Sequence, residues 1–148
     1  MPIPSLTAEG YLPDGVHDCT LKELGERFGV FQRSDVRCRL FRRLEAFVQD
    51  AAATGFLTAI IVDGSFVTGT DAPNDIDLIL VLKSGHDFTA PTRPFEYNIL
   101  SRQQVRRLYR LDMLVGEEAS AELERQIQFF GQVRERNDIR KGLLRVRL

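Results

Sequence analysis

Two aspartates, Asp75 and Asp77, stand at the head of the apolar run DLILVL, and a Gly64-Ser65 pair closes the apolar run before them, with nine residues between Ser65 and Asp75. On an extended strand, side chains i and i+2 share a face about 7 Å apart, so this spacing predicts two carboxylates side by side while Ile76 and Leu78 face a core. Carboxylates that close repel one another and resist burial unless a cation meets them. A hard divalent ion such as Mg2+ suits that task, because it prefers oxygen ligands and shares its shell with water and phosphate. Asp112, inside the short apolar run LDMLVG, is a third acid of the same kind. Three carboxylates on adjacent strands would hold two ions across a triphosphate, the arrangement used in phosphoryl and nucleotidyl transfer. Gly64 would let the backbone approach a polyanion, and Ser65 adds a hydroxyl and an amide donor at a strand end. Glu96 is the other acid a strand could deliver, but it follows Pro94 near a loop, whereas Asp112 has apolar flanks on both sides. Asp63, just before the turn, could help hold a metal or cap the turn, and capping is the expected role.

The elements that must position these residues follow from periodicity. FLTAIIVD, rich in β-branched residues, and DLILVL read as neighbouring core strands joined by a short reversal over FVTGTDAPN. Before them, Thr20 and Glu23 fit a capping box that starts a short helix ending near Gly29. Ser34 can cap a longer helix to Gly55 whose Val36, Leu40, Phe41, Leu44, Phe47, Val48 and Ala51 face a core. Its other face carries Arg33, Arg37, Arg39, Arg42 and Arg43, read as a solvated face that could meet phosphate. Beyond the aspartates, 84–94 is a loop, EYNIL a brief extended segment, and Ser101 the cap of a helix over RQQVRRLYR. Residues 119–136 form an amphipathic helix with Leu123, Ile127, Phe130 and Val133 inward, and KGLLRVRL alternates like an edge strand. Residues 1–19 hold three of the six prolines and are expected to lie as an extended arm on a single domain spanning 1–148.

Composition narrows the class. The chain is 43% hydrophobic and 28% charged with net charge −1, so no global basic field announces a nucleic-acid partner. Charge is polarised, however: residues 134–148 carry six bases against Glu135 and Asp138. Only Lys22, Lys83 and Lys141 are lysines among 20 basic residues, and arginine suits forked contacts to phosphate. Cys19 and Cys38 make no disulfide framework, His17 and His86 make no metal pair, and no run is apolar enough to span a membrane. With neither a membrane span nor a signal peptide at its N-terminus, the chain is expected to be cytoplasmic. Arg140 and Lys141 become phosphate ligands only if the tail folds back to the aspartates.

Gly-Ser, nine residues, then Asp-Ile-Asp and an apolar run resembles the signature of the nucleotidyltransferase (polymerase β-like) superfamily. LPDGVHDCTLKELGERFG, IVDGSFVT and KGLLRVRL are further similar to a small bacterial family of standalone nucleotidyltransferase-like proteins of uncharacterised function, over nearly the whole chain. The resemblance implies an α+β fold, a minimal nucleotidyltransferase fold with a mixed sheet flanked by helices. It implies Gly64 and Ser65 on the nucleoside triphosphate, Asp75 and Asp77 on two Mg2+ ions, and Asp112 on the ion that activates the acceptor hydroxyl. The expected activity is transfer of NMP from an NTP to a hydroxyl of a protein, a tRNA or a small molecule, in a toxin–antitoxin or phage-defence setting. Templated polymerisation is not expected, since 36 residues after Asp112 leave no room for a helical base-recognition domain. The alternative is an inactive module on the same fold, acting as antitoxin or regulatory subunit of a partner protein.

Overall fold

The computed structural model describes residues 3–148. The chain runs β1 (Val16–Cys19), α1 (Leu21–Phe28), α2 (Val36–Ala52), β2 (Leu57–Asp63), a single 3-10 turn (Ser65–Val67) and β3 (Asp77–Leu82). It continues through α3 (Pro94–Leu100), α4 (Arg102–Tyr109), β4 (Asp112–Glu117), α5 (Ala121–Phe130), β5 (Gln132–Val133), β6 (Arg136–Arg140) and β7 (Leu143–Arg147). Five strands form one mixed sheet in the order β1-β7-β2-β3-β4, and β5 with β6 forms a separate antiparallel hairpin. Within the large sheet β1/β7 and β3/β4 are parallel, while β7/β2 and β2/β3 are antiparallel. The fold is α+β.

Strand alternation divides the core into two layers. Ile60, Val62, Leu78, Leu80, Leu144 and Val146 point to one face, where Leu24 of α1, Leu40, Leu44 and Phe47 of α2, Ile99 of α3 and Val105 of α4 cover them. Ala59, Ile61, Ile79, Val81 and Leu143 point to the other, under Leu123, Ile127 and Phe130 of α5. Both faces of β2 and β3 are therefore buried, which is why their sequences are continuous apolar runs.

The helix starts follow local chemistry. Thr20 and Glu23 form the expected capping box, with reciprocal bonds of 2.9 and 3.0 Å. Ser101 caps α4 through the Gln104 amide and Ser120 caps α5 through the Leu123 amide. α2 begins instead after Asp35, whose side chain makes no capping bond.

Four expectations change. EYNIL is not extended: Pro94 at the first helical turn and Glu96, whose carboxylate accepts from the Arg93 amide at 2.8 Å, start α3 there. That places Glu96 on a helix away from the sheet, so Asp112 is the acid delivered by a strand. The helix expected over 119–136 stops at Phe130, and Gln132–Arg140 turns back as the β5/β6 hairpin. β7 is an interior strand between β1 and β2. The N-terminal arm contributes the edge strand β1, tied to β7 by the Arg145 guanidinium, which donates to both Asp18 oxygens at 2.6 and 2.9 Å.

Candidate functional site

The acids arrive at one end of the sheet by separate routes. Asp63 ends β2 and Asp77 begins β3, and the two are cross-strand partners. Asp77 is also the register partner of Asp112, the first residue of β4. Neighbouring strands lie about 4.8 Å apart and paired residues share a face, so Asp63, Asp77 and Asp112 make a row across three strands. Ile76 and Leu78 are buried in the core, as their alternation predicts.

Asp75 is placed differently from its predicted strand position, because β3 begins only at Asp77. It stands in the preceding loop and turns back on the Gly64-Ser65 turn. Its Oδ1 accepts from the Ser65 amide at 2.9 Å and from the Ser65 hydroxyl, and Ser65 Oγ accepts from the Asn74 and Asp75 amides at 3.1 and 3.3 Å. Both Ser65 groups that sequence reading offered to a triphosphate are thus engaged with Asp75. Gly64 adopts φ 97°, and a Cβ there would lie 2.9 Å from the Asp75 carbonyl oxygen and 3.1 Å from the Asp77 amide nitrogen. The close approach that demands glycine is between the turn and the backbone leading into β3.

Charge is crowded in this row. Burial, then Asp75, Asp63 and Asp112 in that order, push the Asp77 carboxyl up to about 6, with Lys141 opposing. Asp63 is also held above the usual carboxylate range, chiefly by burial, against the pull of Lys141. The expected turn-capping role of Asp63 is too small for what the structure gives it: its side chain is 4% exposed and its Oδ2 meets Lys141 Nζ at 3.1 Å. Its Oδ1 has no hydrogen-bond partner among the described residues. Asp112 is bonded by the Arg106 guanidinium of α4. Among the described residues, no three His, Cys, Asp or Glu side chains are gathered as a metal-holding group. Asp75 is turned to Ser65 and Asp112 to Arg106.

Two clefts flank the acids. The larger, about 910 Å3, lies between the Gly64-Ser65 turn and the β5/β6 hairpin, with Asp63, Asp75 and Asp77 on one wall and Arg134, Arg136, Arg140 and Lys141 on the other. The tail therefore does fold back to the aspartates. The smaller, about 440 Å3, is lined by Arg43, Arg106 and Arg110 together with Asp75 and Asp112. Asp75 borders both.

The residues match a family of unknown function, DUF6932, over positions 4–147. The chain belongs to that family. No curated protein and no solved structure matches it.

One supporting residue escaped the sequence reading. Arg37, assigned there to a solvated face, is 2% exposed and spends its guanidinium on backbone carbonyls. Nη1 donates to Phe28 and Phe66 at 3.3 and 2.7 Å, and Nη2 donates to Thr68 and Thr70 at 2.8 and 2.5 Å. The rings of Phe28 and Phe66 lie 5.8 and 5.7 Å from its guanidinium carbon. Arg37 thereby fixes the loop that follows Ser65. The signal was available: Arg37 lies three and seven residues before Leu40 and Leu44, on the buried stripe of α2.

Proposed function

We propose that the chain is a Mg2+-dependent nucleotidyltransferase that moves an NMP from an NTP to an acceptor hydroxyl. The observation that carries this reading is the row Asp63, Asp77 and Asp112 at the ends of three paired strands, with Asp75 tethered beside it by the Gly64-Ser65 turn. The donor set suits a hard cation in chemistry: all oxygen, with one carboxyl pushed up to about 6 by burial and acidic neighbours, and one buried oxygen with no partner. Asp75, Asp77 and Asp112 would hold the two ions once Asp75 leaves Ser65 and Asp112 leaves Arg106. Bound Mg2+ would supply positive charge to the triphosphate and acidify the acceptor hydroxyl.

The chain's own residues account for the rest. When Asp75 rotates, the Ser65 amide and hydroxyl are released at the end of β2 and can donate to phosphate oxygens. Arg134, Arg136, Arg140 and Lys141 face that turn across the larger cleft and balance the charge of a polyphosphate. Gly64 keeps the turn pressed against the strand that carries the acids. Arg37 holds the loop behind it.

Incubation of the protein with each labelled NTP, Mg2+ and cell lysate tests the proposal. Label should move to an acceptor with wild-type protein and not with Asp75→Ala combined with Asp77→Ala. Transfer that survives both substitutions would sink the mechanism.

A second reading draws on one observation. Lys141 and Arg106 already neutralise Asp63 and Asp112, as they would in a module of this fold that has given up turnover and holds a partner protein, such as a toxin. Calorimetry separates the two: NTP binding that requires Mg2+ favours the transferase, whereas partner binding indifferent to Mg2+ and to the aspartates favours the module.

A further inference from the structure

We propose that the cleft between α2 and α4 receives the 3′ end of a single-stranded nucleic acid as the acceptor; this rests on the nucleotidyltransferase reading of the aspartate row. Three arginines face two aspartates there, Arg43 from α2, Arg106 from α4 and Arg110 at the α4 C-cap against Asp75 and Asp112. Arg43 is half-buried, and neither it nor Arg110 has an ion-pair or hydrogen-bond partner among the described residues. A half-buried guanidinium without a partner is poorly solvated, and a planar fork of donors matches a phosphate group.

The basic surface continues outward from the cleft. α4 and its cap carry Arg102, Arg106, Arg107 and Arg110, and no acid occurs from Tyr97 through Leu111. Arg102 and Arg106 are i, i+4 neighbours on one side of the helix, about 6 Å apart. A strand entering along α4 would set successive phosphates on this stripe and its last nucleotide in the cleft. The cleft's volume, about 440 Å3, suits one nucleotide. A terminal nucleotide joins a 5′-linked phosphate and a free 3′-hydroxyl in one unit, so seating the phosphate on Arg43 and Arg110 brings the hydroxyl to the aspartates. A protein hydroxyl has no phosphate beside it and would leave both arginines unanswered.

A phosphate in the cleft also competes with Asp112 for Arg106, so acceptor binding releases the third carboxylate. The 3′-oxygen then bonds to the α-phosphorus of the NTP, the bond from that phosphorus to the bridging oxygen breaks, and pyrophosphate leaves with that electron pair. The hydroxyl proton passes to Asp112 and on to water.

The test is fluorescence anisotropy of a 5′-labelled single-stranded RNA, with a DNA of the same sequence as second arm, without NTP or Mg2+. Binding is expected, and Arg43→Ala with Arg110→Ala should weaken it at least tenfold. The slope of log K against log salt should fall by about 0.7 for each arginine removed. The lysine pair should keep most of that slope. Because neither arginine is bonded in the fold, the melting temperature should hold, which separates lost binding from lost folding. Anisotropy unmoved by the alanine pair overturns the proposal. So does label transferred in lysate to a protease-sensitive, nuclease-resistant product. Arginine-dependent binding in a protein that transfers nothing upholds the cleft and overturns the transferase reading instead, so the two failures are distinct.

Discussion

Asp77 and Asp112 are register partners on parallel strands, and with Asp63 on the opposite neighbour of β3 they concentrate negative charge at one end of the sheet. The carboxyl of Asp77, the middle one, titrates near 6 because burial and three acidic neighbours disfavour its charged form.

That shift sets a sign for stability against pH. An unfolded aspartate titrates near 3.9, so between about pH 4 and pH 6 the folded chain binds more proton than the unfolded one. Stability from this group therefore falls as pH rises through that window and levels off above it. Asp77→Asn should flatten the slope and raise the melting temperature at neutral pH by a few degrees, for a gain on the order of 1 kcal/mol. Millimolar Mg2+ should stabilise the wild type at pH 7.5, less at pH 5, and the Asn variant hardly at all. Thermal melts over pH, with and without Mg2+, check all three; an unchanged Mg2+ response in the variant would remove Asp77 from the ion's ligands.

Arg37→Lys should be strongly destabilising despite keeping the charge. A lysine cannot fork across Phe28, Phe66, Thr68 and Thr70, so carbonyls buried around α2 lose donors. The loss should reach about 2–4 kcal/mol, read from urea unfolding midpoints at constant m-value. A variant within 1 kcal/mol of wild type would mean that water satisfies the loop just as well.

The parts of this arrangement that are legible in sequence are those governed by local chemistry. β2 and β3 are apolar runs because both their faces are buried, and Thr20 and Ser101 announce helix starts through bonds to their own third residue. Asp112 is recognisable because an acid inside an apolar run has few structural reasons to be there. What escapes is long-range. β7 resembles an edge strand since Arg145 and Arg147 interrupt it, yet their partner is Asp18, at the other end of the chain. The β5/β6 hairpin is mostly exposed and shows no alternation, so the helical period of α5 runs on through it unchallenged. Arg37 is hidden by composition: on an arginine-rich helix, nothing but its phase distinguishes the buried one.

Gly64→Ala should damage the turn in two ways. Alanine at φ 97° is strained, and its Cβ would meet the Asp75 carbonyl oxygen at 2.9 Å. A loss of about 1–3 kcal/mol is expected, with the Ser65–Asp75 bonds disturbed in the same step. Protection of the Ser65 amide from hydrogen exchange should fall more than that of β2 amides such as Ile61. Equal loss at both would indicate global destabilisation without a local opening.

Lys141 and Asp63 allow stability and ligand binding to be pulled apart. Lys141→Ala leaves the Asp63 carboxylate buried without its cation, and breaking such a pair costs about 3 kcal/mol. The Asp63 carboxyl already sits above its ordinary range through burial, and loss of Lys141 removes the main force opposing that rise. The defect should therefore be largest at neutral pH and shrink as pH falls through the raised value, where Asp63 is protonated and needs no partner. Asp63→Asn combined with Lys141→Ala should recover most of the loss, because no buried charge remains. If Lys141 serves a polyphosphate in the larger cleft, Asp63→Asn alone frees its ammonium and should bind tripolyphosphate at least as well as wild type, while the double variant binds more weakly. Calorimetry with tripolyphosphate on the two well-folded variants makes that comparison without turnover. Equal affinity in both would confine Lys141 to holding Asp63.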